Sequence, residues 1–153
     1  MRIAVACDHG GFVQKDAVIE HLKSLGHEVT DLGTNSEESV DYPDYADRAA
    51  RMVSRGEADR AILICGTGIG MAITADKVPG VRATPVQTVK FAELARQHNN
   101  ANVIGLSGRF VSLEDNLVLV DTFLNTEFEG GRHAKRVEKI MREDDPAFPG
   151  VDA

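Results

Sequence analysis

The residues best suited to do chemistry lie in one short run. Cys65 ends an apolar stretch, Ala61 to Cys65, and is followed by Gly66, Thr67, Gly68, Ile69 and Gly70. A glycine-rich turn between a strand and a helix offers backbone N–H groups to an anion. A thiol just ahead of such donors has its thiolate favoured, and a thiolate serves as base or nucleophile. The spacing excludes the common phosphate loops. No Gly-Lys-Ser/Thr follows, as a Walker A loop needs, and the third glycine of a G-x-G-x-x-G fingerprint counted from Gly66 would fall on Met71. A cysteine phosphatase needs Arg six residues after its nucleophile, and that position is also Met71. No Cys-His protease signature surrounds Cys65. The plainer alternatives are a tight, closely packed turn for the glycines and a buried packing role for the cysteine. Cys7, the second cysteine, is expected in that packing role.

Other candidates are scattered. Asp8 and His9 follow the apolar run Arg2 to Cys7 and precede Gly10 and Gly11; Asp8 alone would also suit a helix cap. His98 and Asn99 close a helical stretch, where a cationic His is favoured by the helix dipole. Arg132 and Arg136 stand four apart, hence on one helix face. With Arg109 they make three guanidiniums able to grip a phosphate through paired N–H donors. A solvated basic face is the alternative, since Lys135, Lys139 and Arg142 share that helix. His9, His27, His98 and His133 show no close ligand spacing such as H-E-x-x-H, so no metal is expected.

These residues need a frame. Arg2 to Cys7, His27 to Leu32, Ala61 to Cys65, Val81 to Val86 and Val103 to Leu106 read as five strands. Between and after them the pattern predicts helices over Phe12 to Leu25, Pro43 to Ser54, Met71 to Lys77, Thr88 to Gln97, Ser112 to Leu124 and His133 to Glu143. Val18, Leu22 and Leu25 recur at helical spacing, as do Phe91, Leu94 and Ala95. Ser112 with Asp115 resembles a capping box, and Gly26 suits a helix stop. Alternating strands and helices imply a parallel sheet with right-handed crossovers. The strands lack period-2 alternation, as expected when both faces are covered. Ligands in such sheets bind beyond the carboxyl ends of the strands, where the loops Asp8 to Gly11, Cys65 to Gly70 and Gly108-Arg109 all fall.

Composition sets the bounds. The 153 residues suit one domain, over residues 1–144 with a tail of 145–153, and the charge of −7 argues against a nucleic-acid binder. The apolar fraction of 42% and charged fraction of 27% are ordinary for a soluble protein. Two distant cysteines form neither a C-x-x-C pair nor a disulfide framework. The short apolar run at the N-terminus is neither a signal peptide nor a membrane span. A cytoplasmic protein with free thiols and no membrane partner is expected.

The motifs CDHGGF, DYPDYA, ILICGTGIGMAI with DKVPGVRA, ARQHNNANVIG and EGGRHAKRVEKI, in this order and spacing, resemble the ribose-5-phosphate isomerase type B family, which also contains galactose-6-phosphate and allose-6-phosphate isomerases. The resemblance covers Arg2 to about Met141. It implies a Rossmann-like three-layer α/β/α sandwich on a five-stranded parallel sheet. It implies a homodimer or homotetramer whose active sites are shared between subunits, acting on a small sugar phosphate without cofactor. By the same resemblance Cys65 is the catalytic base, His98 opens the sugar ring with help from Asp8, and Gly66 to Gly70 with Thr67 hold the reacting oxygens. Asp8, His9, Tyr42, Asn99, Arg109, Arg132 and Arg136 are implied substrate contacts, the arginines mainly toward phosphate. One stretch departs: relatives usually carry an acidic residue and a Tyr-Ser-Ala-like run after the fourth strand, where this chain has Thr84 to Leu94 with Pro85 and Gln87.

The implied reaction is aldose–ketose isomerisation, most simply of ribose 5-phosphate and ribulose 5-phosphate. The proton α to a sugar carbonyl is weakly acidic, so its removal needs a positioned base and a stabilised enediolate. A hexose 6-phosphate substrate is the alternative within the family. A cysteine-dependent hydrolase and a non-catalytic sugar-phosphate sensor are the alternatives outside it.

Overall fold

The computed structural model describes residues 1–151. Of the tail read from the sequence, residues 152–153 therefore lie outside the described residues. The elements run β1 (Arg2–Cys7), α1 (Phe12–Ser24), β2 (Glu28–Asp31), α2 (Tyr42–Ser54), β3 (Arg60–Cys65), α3 (Ile69–Ala75), β4 (Ala83–Pro85), α4 (Val89–Asn99), β5 (Val103–Ser107), α5 (Leu113–Asn125) and α6 (Arg132–Arg142). All five strands pair in parallel, in the order β2-β1-β3-β5-β4. The chain moves outward from β1 in opposite directions to β2 and β3. The crevice between the loops after β1 and β3 is thus the switch point where such sheets bind ligands.

The central strands are buried on both faces, and each face has its own packing. Ile3, Val5 and Cys7 of β1 join Ile62 and Ile64 of β3 against α1, α4 and α5. Ala4 and Ala6 join Ala61, Leu63 and Cys65 against α2 and α3. The second face is built from small residues, Ala46, Ala49 and Ala50 of α2 among them. This lets α2 approach closely and brings Tyr42, its first residue, beside the loop after β3. The two cysteines point to opposite faces, as neighbours in register on paired strands can do when their positions differ by one residue.

Local chemistry explains the element boundaries. Thr88 and Ser112 cap α4 and α5 by accepting from the N–H groups of Phe91 and Asp115. Pro43 sits in the first turn of α2. Gly26, at φ 83°, ends α1 as a left-handed stop.

Several sequence expectations shift. α1 ends at Ser24, and Leu25 lies outside it, 49% exposed; the buried face is Val18, Ile19 and Leu22. α3 starts two residues early, at Ile69, because Gly68 takes the left-handed conformation that turns the chain directly into the helix. β4 is three residues long: the Val81 N–H turns back to the Val78 carbonyl, so the strand begins only at Ala83, while past Pro85 the Val86 N–H still donates to the Gly105 carbonyl. The inner face of α4 is Ala92, Ala95 and Arg96, while Phe91 is 63% exposed. Among the described residues no helix is long and apolar enough to cross a membrane.

Candidate active site

At the carboxyl edge of the sheet three loops lock together. The N–H of Asp8 donates to the carbonyl of Ile64, that of Gly108 to Cys65 and that of Arg109 to Gly66. The glycines permit this approach. A Cβ on Gly10 would stand 2.8 Å from the backbone N of Gly66, closer than packed atoms come. Asp8, almost fully buried, accepts from the N–H groups of Gly10 and Gly11 through Oδ1 at 2.8 and 3.2 Å. Asp8 does not cap α1, whose N-cap is Gly11 without a side-chain bond; it closes the turn ahead of the helix instead, and that holds the carboxylate at the loop's centre. His9 accepts from the Val40 N–H through Nδ1 at 3.2 Å, which places its ring proton on Nε2 when the ring is neutral.

Cys65 occupies the middle of this edge. Its Sγ accepts a hydrogen bond from the Gly68 N–H at 3.1 Å, and the side chain is 5% exposed. Thr67 Oγ1 accepts from the Ile69 N–H at 3.3 Å. The N–H groups of Thr67 and Gly70 donate to no acceptor among the described residues, so the turn keeps free donors beside the sulfur. The Tyr42 ring lies over Gly70, where a Cβ would come within 2.7 Å of Cζ. The guanidinium of Arg109 lies against Gly66. The edge thus collects a thiol, open amide donors, a carboxylate, an imidazole and a guanidinium. Cys7, by contrast, is fully buried with its thiol donating to the Thr34 carbonyl at 3.9 Å, and burial pushes that thiol up to about 11; it is the packing cysteine expected.

The remaining candidates lie elsewhere. α4 runs from the carboxyl end of β4 back to the amino end of β5, so His98 and Asn99 reach the opposite edge of the sheet. The Glu129 N–H donates to the Gln97 carbonyl, and Arg96 donates to the carbonyl oxygens of Thr126 and Ala101. These bonds fix the start of α6, with Arg132 and Arg136, beside His98. β5 separates the two edges by about 13 Å at ~3.3 Å per residue. One chain therefore does not gather the three arginines around one phosphate: Arg109 stands at the carboxyl edge, and Arg132 and Arg136 at the amino edge.

Sequence reasoning missed the supports. Gln14 Nε2 donates to the carbonyls of Gly108 and Val111, and Asn116 Nδ2 to Gln14 Oε1 and the Ser107 carbonyl. This buried network anchors the loop that presents Arg109. Its only sequence signal is a polar residue on the inner face of each of two amphipathic helices. His133 was also missed as a neighbour of His98; the rings stack at 4.2 Å, 12° from parallel. They are 35 residues apart, and no local pattern reports that.

A doubly covered parallel sheet with a thiol and a cluster of phosphate-type donors at its switch point defines a small-molecule enzyme of the Rossmann-like class. The comparisons narrow the class. Residues 3–140 match the model of the Ribose/Galactose Isomerase family. The ribose-5-phosphate isomerase B of Escherichia coli is 48% identical over 139 residues, 91% of this chain and 93% of that protein. The structure of ribose-5-phosphate isomerase B from Clostridium thermocellum superimposes with a TM-score of 0.92 at 48% identity, covering 94% of this chain and 97% of the other. That of the Mycoplasma genitalium enzyme with bound ribulose-5-phosphate gives 0.91 at 47%, covering 95% and 97%. The chain belongs to the ribose/galactose isomerase family and is an aldose–ketose isomerase of sugar phosphates.

Proposed function

We propose that this chain interconverts ribose 5-phosphate and ribulose 5-phosphate, with Cys65 as the proton-transfer base and with each active site completed by a second copy. The carrying observation is the Cys65 sulfur held by the Gly68 N–H at the switch point, beside free donors of the same turn. The pentose substrate is favoured by the relatives named as ribose-5-phosphate isomerases and by the ribulose-5-phosphate bound to one of them.

The sugar enters the crevice with its phosphate against Arg109 and His9. His98, Asn99, Arg132 and Arg136 of a second copy close the site from outside. The split of the candidates between two sheet edges supports this. His98 and Asp8 assist ring opening. Cys65 as thiolate removes the proton from C2 of the open aldose, which leaves an enediolate across C1 and C2. The N–H donors of the Gly66 to Gly70 turn stabilise the developing oxyanion. Cys65 returns the proton to C1 while the O2 hydroxyl proton passes to O1, which leaves the C2 carbonyl and C1 alcohol of the ketose. The phosphate grip supplies binding energy that aligns the carbons with the sulfur. Two free thiols suit a reducing, cytoplasmic setting.

The test is kcat/KM measured on ribose, allose and galactose phosphates with the native protein. Ribose 5-phosphate is expected to lead. A hexose 6-phosphate leading by tenfold or more would move the substrate, and the divergent Thr84 to Leu94 stretch would be the place to look for the cause.

A further inference from the structure

Among the described residues, one group of side chains able to ligate a metal stands at the opposite sheet edge of the chain, on the surface that a second copy would carry to the crevice. His98 at the end of α4, Glu129 in the α5–α6 connection and His133 at the start of α6 each offer a ligand atom, and these atoms lie within 4.8 Å of one another. His133 is 5% exposed, and its Nε2 has no hydrogen-bond partner. It stands 3.4 Å from a carboxylate oxygen of Glu129, without hydrogen-bonding geometry. Buried polar atoms are almost always satisfied, so an orphaned imidazole nitrogen facing a carboxylate and a second imidazole calls for an explanation.

We propose that His98, Glu129 and His133 form a site for a divalent first-row transition metal, Zn²⁺ fitting best. Two imidazoles and one carboxylate are a standard zinc donor set that leaves a further position for water. Mg²⁺ and Ca²⁺ prefer oxygen ligands and fit poorly. The His133 and Glu129 ligand atoms already stand 3.4 Å apart, so a small adjustment brings all three ligands to the distance of about 2.0–2.2 Å that zinc requires. The exposed Glu129 and the half-exposed His98 provide that movement around a fixed His133. The near-parallel rings aim their lone pairs side by side, so binding must tilt His98 out of the stack. Arg132 and Arg136 stand close by and oppose a cation here, which weakens the site.

This has a consequence that rests on the ring-opening role proposed for His98: a bound metal removes that ring from the sugar and inhibits the aldose direction. The experiment is calorimetric titration of the metal-free, full-length protein with Zn²⁺, repeated with Co²⁺ while recording its visible absorption. One metal per chain is expected, with a Co²⁺ spectrum lacking thiolate charge transfer. Glu129→Gln, at an exposed position that spares the fold, and His133→Asn should each weaken binding at least about tenfold. Cys65→Ser should bind like the native protein. Absence of binding, unchanged affinity in Glu129→Gln, or loss of binding in Cys65→Ser would overturn the site. Turnover of ribose 5-phosphate should fall with occupancy and return with chelator, and Glu129→Gln should escape inhibition. Binding without inhibition would support the metal site and contradict the role given to His98.

Discussion

Gly68 and Gly105 meet backbone to backbone: a Cβ on Gly68 would fall 2.7 Å from the Gly105 carbonyl carbon. Gly68 also has φ 79° and donates to the Cys65 sulfur. A residue in the middle of β5 therefore sets the turn that holds the base. Gly105→Ala is expected to push that turn outward. It should cost about 1–3 kcal/mol, as overpacking does, and lower kcat more than it raises KM. Denaturant unfolding and steady-state kinetics check this. Unchanged kcat would separate the turn's position from catalysis.

The two thiols should behave differently. Cys7 ionises only near 11 because burial disfavours its thiolate, so alkylation near pH 8 should label Cys65 first, and bound substrate should protect it. Mass spectrometry of the labelled peptides reads the order. Stability carries a second signature. A free thiol ionises near 9.0 and Cys7 near 11, so between these values the unfolded chain holds fewer protons and stability falls as pH rises. The loss is about 2–3 kcal/mol across that window, and Cys7→Ala should lack it. Parallel slopes for the two proteins would contradict the burial argument.

The arginines of α6 should act through phosphate. Arg136→Ala is expected to raise KM for ribose 5-phosphate sharply while scarcely altering residual activity on free ribose. Equal losses on both sugars would assign Arg136 a structural role on its helix instead.

Shared sites make a statistical prediction. Cys65→Ala and His98→Asn should each be nearly inactive toward ribose 5-phosphate. Unfolded together and refolded as mixed dimers, half the dimers carry one native site, so about one quarter of native activity should return. No recovery, with hybrids demonstrated by mass, would mean that each chain builds its own site.

The carboxyl edge was legible because its residues are local: Asp8 to Gly11 and Cys65 to Gly70 each follow an apolar strand directly, and parallel topology gathers strand ends. Arg109 was legible for the same reason. The opposite edge was not. His98 and Arg132 looked like members of one site with Arg109, and only the return of α4 to the start of β5 shows that a single chain separates them. The Gln14–Asn116 network and the His98–His133 stack join positions far apart in sequence. Each needs tertiary packing to exist, so no periodicity announces it. The Val81 to Val86 expectation was too long chiefly at its amino end, where the Val81 N–H closes a turn on Val78 and the strand begins only at Ala83.

Proton transfer by Cys65 is tested most directly by solvent exchange. Ribulose 5-phosphate is already open-chain, so deuterium entry at C1 from D₂O isolates the transfer from ring opening. The native protein should incorporate deuterium at C1, and Cys65→Ala should lose incorporation by about 10²–10⁴-fold, the usual cost of removing a general base, while still binding the sugar phosphate. His98→Asn should retain exchange far better than aldose turnover. Near-native exchange in a folded Cys65→Ala protein would contradict the account.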